Sequence, residues 1–257
     1  MRLNEAQIEE FTSKGFIVVK GMFDGDAMTK VSTWADELQE KQPIKGGEAK
    51  YYEQSVLTGE DVLVRIENVV GEEINPAMTS LLVSPEVTDC LSQLLGEAPV
   101  LFKEKINYKL PGCRADKLHQ DQAAGWNVYT DFFITMAIAI DANRFDNAAL
   151  SFMSSGNYPH DDLMTEEWQP ITKDDPPYQP VDEFSLLEAD PGDVIFFDSY
   201  VPHGSPPNTS DQSRRNIFLT FNRASAGDMR AKYYADKWAS YAPNKAGEGR
   251  KAAAFRV

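Results

Sequence analysis

Apolar residues recur at helical spacing over the first part of the chain and at a period of two after Pro99. Asn4 is placed to cap a helix whose Ile8 and Phe11 fall on one side, Gly15 stands where a left-handed residue would end it, and Phe16 to Val19 then reads as a short strand. A second helix is predicted from about Asp26 to Glu40, broken by Pro43, Gly46 and Gly47. Pro76 to Val83 and Pro85 to Leu95 predict two more, the latter with Ser84 as N-cap, Pro85 in its first turn and Gly96 at its close. Residues 1–98 are therefore expected to be mostly helical.

Val100 to Leu110 alternates, with Phe102, Glu104, Ile106 and Tyr108 on one face and Lys103, Lys105, Asn107 and Lys109 on the other. Phe132 to Ile140, Leu150 to Met153, Asp193 to Phe197 and Asn216 to Asn222 predict further strands, the third introduced by the turn signal Asp190-Pro191-Gly192. Residues 156–183, rich in Pro and Asp, form a long insert and a candidate lid, and an amphipathic helix within residues 227–241 closes the pattern. Helices first, strands afterwards and no regular βα alternation predict one domain over residues 1–257, a β core over 99–223 flanked by helices.

Charge and composition narrow the function. A net charge of −15 opposes binding to phosphate backbones or anionic lipid, which argues against nucleic-acid and membrane-surface roles. The longest nearly apolar run, Phe132 to Ile140, is under half of the about 20 residues that a spanning helix needs. The first residues show neither a basic nor an apolar leader segment, and two cysteines, Cys90 and Cys113, cannot make a disulfide framework. A cytoplasmic protein acting on a small molecule is expected, and the oligomeric state is left open.

Only three histidines occur. His119 and Asp121 form His-x-Asp, and on an extended backbone residues i and i+2 share a face. His203 follows the strand ending at Phe197, and a β core can return it to the first pair. Two histidines and one carboxylate on one face of an octahedron leave open positions, the arrangement of non-haem Fe(II) oxygenases. His160, in a loop before Asp161 and Asp162, competes for the third position but lacks the rigid strand that supports His203. The same three residues also suit a zinc hydrolase, or a β-barrel binding protein without chemistry. Arg214, after His203 and entering a strand, can clamp a planar carboxylate. The face carrying Lys103, Lys105 and Asn107 is either a solvated edge or the lining of the core mouth.

The elements FKEKINYKLPG, HQDQAAGW, NAALSFMSSGNYPH and PGDVIFFDSYVPHGSPPNTSDQSRRNIFLTFN, in that order, resemble the phytanoyl-CoA dioxygenase family of Fe(II)- and 2-oxoglutarate-dependent oxygenases, over roughly Phe16 to Arg223. The resemblance implies a double-stranded β-helix, the jelly-roll, cupin-like core. It implies Fe(II) on His119, Asp121 and His203, O2 as co-reactant, and 2-oxoglutarate with its distal carboxylate on Arg214. Asn107 and Lys105 are the supporting candidates for the cosubstrate; Trp126, Arg65 and Tyr51 are those for the substrate. Where the family usually carries Asn-Gly-x-Leu, this chain has Asn147-Ala148-Ala149-Leu150. Halogenating relatives leave the carboxylate position to Gly or Ala; the intact Asp121 points to hydroxylation. The basic residues before the metal motif favour a small charged metabolite, such as an amino acid, a betaine-like amine or an aminophosphonate, with Tyr51, Tyr52 and Trp126 facing an amine. An apolar natural product or an acyl-CoA is the alternative substrate.

Overall fold

The computed structural model describes residues 2–42, 47–154, 184–240 and 243. The insert expected at 156–183 and His160 lie outside them. Helix α1 (Glu5–Lys14) is closed at both ends by its own sequence: Asn4 and Gln7 form a reciprocal capping box, and Gly15 ends the helix at φ 78°. Strand β1 (Phe16–Val19) follows, then α2 (Gly25–Glu40), capped by Asp24. Helices α3 (Pro76–Leu82) and α4 (Pro85–Leu95) lie where the pattern puts them, although the Ser84 side chain makes no capping hydrogen bond.

The expectation that residues 1–98 are mostly helical is corrected. Strands β2 (Ala49–Gln54) and β3 (Asp61–Glu67) form an antiparallel hairpin that pairs onto the long strand β4 (Pro99–Lys109). The apolar alternation that would reveal them is masked, because charged side chains take up buried positions: Lys50 donates to the Gln39 and Lys41 carbonyls at the end of α2, and Glu67 pairs with Arg65 and with Lys237 far along the chain.

The remaining strands are β5 (Asp116–His119), β6 (Ile134–Ala139), β7 (Ser151–Met153), β8 (Phe184–Leu186), β9 (Val194–Asp198), β10 (His203–Ser205) and β11 (Arg214–Arg223), followed by helix α5 (Arg230–Ser240). Seven strands form one antiparallel sheet in the order β1-β9-β6-β11-β4-β3-β2, and four form a second in the order β5-β10-β7-β8. Phe16, Ile195, Phe197 and Phe218 from the large sheet pack against Leu150, Phe152 and Met153 from the small one, so the sheets face each other as the double-stranded β-helix requires. The other face of the large sheet, with Ile66, Ile106, Met136, Ile138, Phe196, Ile217 and Leu219, packs against the helices in one apolar cluster.

The register of β4 has a consequence for chemistry. It lies between β11 and β3, so its polar face is not a solvated edge. Lys103, Lys105, Asn107 and Lys109 point into the space between the sheets.

The turn before β9 is held closely. Gly192 sits at φ +92°, its N–H donates to Ala139, its carbonyl accepts from Phe23, and a Cβ there would approach the Phe23 carbonyl oxygen to 2.2 Å. Gly192→Ala should therefore cost about 2 kcal/mol or more, combining positive-φ strain with a backbone collision, which is a fall of roughly 4–8 °C in Tm. Gly25→Ala, in open space on α2, should leave Tm unchanged or raise it; thermal unfolding of both variants checks the pair.

Candidate metal centre and cavity

β5 and β10 run antiparallel with His119 directly opposite His203, and the two imidazole centroids lie 4.4 Å apart. Gln120 is extended and Asp121 opens a 3-10 turn (Asp121–Ala124), so His-x-Asp spans a strand end with its carboxylate returning towards the rings. The turn is tied down by Gln122 N–H donating to the Ser199 carbonyl at 2.8 Å. On the other side, Asp198 accepts from the Tyr200 and Val201 amides at 2.9 and 2.7 Å, which fixes the approach to His203. His203 then packs against both the Phe152 and Phe197 rings, which also touch each other. One ligand atom from each of His119, Asp121 and His203 lies within 4.8 Å of the others.

The hydrogen bonds choose the tautomers. Nδ1 of His119 lies 2.6 Å from the Lys117 carbonyl and Nδ1 of His203 lies 3.0 Å from the Val201 carbonyl. A carbonyl only accepts, so each Nδ1 carries the proton and each Nε2 keeps its lone pair for a metal. Burial, then the neighbouring His119, lowers the His203 pKa to about 4, which keeps it neutral. Burial alone would raise the Asp121 carboxyl, but the adjoining His119 and His203 rings and the Lys103 and Lys105 side chains hold it well below the carboxylate range. Two imidazoles and a carboxylate are the donor set that suits Fe(II).

These residues open onto a cavity of about 460 Å³, within the usual range for ligand sites. Of the residues expected from sequence, His119, Asp121, His203, Lys105, Asn107, Trp126 and Arg65 line it. Tyr51 does not: it is fully buried one layer back, and its ring carries the Arg65 guanidinium at 4.6 Å. The expectation that Tyr51, Tyr52 and Trp126 face a substrate amine is corrected likewise, since Lys103 Nζ already covers the Trp126 ring at 4.0 Å and neither tyrosine reaches the cavity.

Arg214 is buried at the end of the same inward row, paired in register with Lys109. It stands behind the lining rather than in it. Its Nε has no acceptor among the described residues; the Asn216 amide, oriented with its oxygen towards the guanidinium, accepts from Nη1 at 3.1 Å. Burial brings the group down to about 10, against the pull of Asp116. Arg215 faces the other way and is spent on a bidentate pair with Asp141, at 2.9 and 2.8 Å.

Lys237 and Lys103 line the cavity without having been expected as site residues. Lys237 is 1% exposed on the inner face of α5, where Tyr233 precedes it by one turn; a lysine at an apolar-face position was the available signal. It pairs with Glu67, whose carboxyl burial would raise but which Lys237, Arg65 and Lys103 bring down to about 2. Lys103 was placed on the right face without being counted in the site.

The phytanoyl-CoA dioxygenase family model matches residues 11–216. A 2-aminoethylphosphonate dioxygenase from an uncultured bacterium, HF130_AEPn_1, is 35% identical over 239 residues, covering 93% of this chain and 89% of its own. A methylphosphonate hydroxylase from Gimesia maris is 30% identical over 252 residues, covering 93% and 88%. Among solved structures, EctD from S. alaskensis with 2-oxoglutarate and 5-hydroxyectoine superposes with a TM-score of 0.69 at 20% identity, over 99% of this chain and 87% of that one.

Replacing His119, Asp121 or His203 by Ala should weaken iron binding by more than about 100-fold, since even the outer partners of ligating histidines are worth 10–100-fold. His160→Ala should retain iron. Iron content after anaerobic dialysis against a graded chelator reads both.

Proposed function

The chain belongs to the phytanoyl-CoA dioxygenase family, and from that premise we propose that it hydroxylates a carbon of a small charged metabolite, with an organophosphonate as the favoured class. It is a 2-oxoglutarate-dependent dioxygenase that works with iron. The observation that carries the reading is one cavity in which two histidines and a carboxylate face a row of buried basic side chains. Both curated relatives described above are named for a phosphonate, the kind of compact anion that such a lining would receive.

When bound, iron and 2-oxoglutarate supply the oxidation: O2 and 2-oxoglutarate become succinate, CO2 and one oxygen atom placed in a substrate C–H bond. The chain's own groups hold and orient. His119 and His203 present Nε2 and keep Nδ1–H on backbone carbonyls, while Asp121 supplies the negative charge. The Arg214 guanidinium, with Nε lacking an acceptor, receives the distal carboxylate of 2-oxoglutarate, and Asn107 and Lys105 offer donors along the way. Trp126 and Arg65 wall the substrate side. An apolar natural product would leave this charged lining unmatched, and an acyl-CoA exceeds the enclosed volume with its nucleotide arm outside.

A cytoplasmic setting is supported by two buried, unbridged cysteines, Cys90 and Cys113. No helix among the described residues is long and apolar enough to cross a membrane.

Losing a charge-assisted contact to a buried partner costs on the order of 2–5 kcal/mol. Arg214→Ala should therefore raise the KM for 2-oxoglutarate by about 30-fold or more. Arg215→Ala should lower Tm through the lost Asp141 pair and leave that KM near normal. Succinate formation against 2-oxoglutarate concentration measures both; an unchanged KM in the Arg214 variant would refute its role.

A further inference from the structure

The inward row of β4 ends in two lysines with opposite circumstances. Lys109, beside Arg214, is fully engaged: its Nζ donates to the Arg114 carbonyl at 2.6 Å, to Asp116 at 2.9 Å and to Ser205 Oγ at 3.0 Å. Lys103, six residues earlier and only 8% exposed, has no carboxylate within 4 Å among the described residues. Its ammonium rests on the Trp126 ring and lies 5.8 Å from the Tyr233 ring. Nearby, the single carboxylate of Glu67 serves both Arg65, at 2.9 Å, and Lys237. Lys103, Lys237 and Arg65 thus stand around Glu67 in one wall of the cavity, with Lys105 further along towards Asp121. Of the three groups around Glu67, Lys103 is the one that no carboxylate contacts among the described residues, and a buried ammonium in that position is matched by an anion from outside the chain.

The two ends of the row differ in kind. A rise of 3.3 Å per residue separates Lys103 from Lys109 by about 20 Å, so one small anion cannot serve both. Arg214 carries a planar fork that matches a carboxylate, whereas lysines are compact point charges with rotatable donors that match a tetrahedral oxyanion of higher charge. The Trp126 Nε1–H, buried and without an acceptor among the described residues, adds a neutral donor on the lysine side.

We propose that Lys103 and Lys237 form the subsite for a doubly charged, tetrahedral headgroup of the substrate, a phosphonate in chemical class, and that α5 is thereby a specificity element. Glu67 is a positioning residue that aims Lys237 and Arg65. The assignment of this headgroup to the substrate rests on the dioxygenase reading above; the binding itself does not.

Iron-free protein is titrated calorimetrically with methylphosphonate and with acetate. Methylphosphonate should bind at least tenfold tighter than acetate, a comparison that requires no variant to fold. Lys103→Met and Lys237→Met, checked for a native circular dichroism spectrum, should each weaken methylphosphonate binding tenfold or more. Their anaerobic visible band with Fe(II) and 2-oxoglutarate should saturate at the wild-type 2-oxoglutarate concentration. Equal binding of acetate and methylphosphonate, wild-type methylphosphonate affinity in both variants, or a shift in 2-oxoglutarate saturation instead would overturn the proposal. Absence of the visible band in the wild-type protein would count against the dioxygenase reading alone, because the calorimetric arm contains neither iron nor 2-oxoglutarate.

Discussion

The constraint on which the rest of the structure depends is the placement of β4 in the middle of the large sheet with lysines on its inner face. A central strand normally buries both faces in apolar contacts. Here Ile106 and Tyr108 do so on the outer side, while Lys103, Lys105 and Lys109 occupy the inner side between two sheets. Ammonium groups cannot be left there without charge, water or π-faces to meet them, so the surrounding elements are arranged around that demand. Asp116 on β5 meets Lys109, Glu67 on β3 meets Lys237, and Trp126 after the metal turn meets Lys103. The same demand leaves a polar, open interior where a jelly roll without a ligand would close its core.

Metal ligands and cations constrain each other across that space. Asp121 lowers the cost of keeping Lys103 and Lys105 charged, and both lysines help hold Asp121 ionised. The carboxylate stays an anion for a metal without needing a metal to keep it so. The histidines are prepared in the complementary way, each ring held by a backbone carbonyl at Nδ1 so that Nε2 faces the site. A site of this kind is set before any ligand arrives, which reduces what binding must spend on reorganisation.

Much of this was legible from residues in order. The alternation in Val100 to Leu110 separates cations from apolar residues, and the parity of Arg214 against Arg215 puts them on opposite faces of their strand. His-x-Asp and His203 are found by their scarcity. Local sequence hid the rest for two reasons. The hairpin of β2 and β3 buries charged side chains, Lys50 against carbonyls at the end of α2 and Glu67 against Lys237 on α5, so its periodicity looks polar; Lys237 sits 170 residues from Glu67. Tyr51 was expected at the substrate, and only the register with Arg65 shows that it supports from behind. At Ala148, where the family usually has glycine, the backbone adopts φ 68°, so the departure from the motif leaves the turn intact at the modest strain an alanine bears there.

The most direct test of the central claim is an anaerobic crystal structure of the protein with Fe(II), 2-oxoglutarate and methylphosphonate. The account predicts iron on Nε2 of His119 and His203 and on Asp121, the distal carboxylate of 2-oxoglutarate on Arg214, and the phosphonate at Lys103 and Lys237. Density placing the 2-oxoglutarate carboxylate on Lys103 and Lys237, with Arg214 untouched by either ligand, would contradict it.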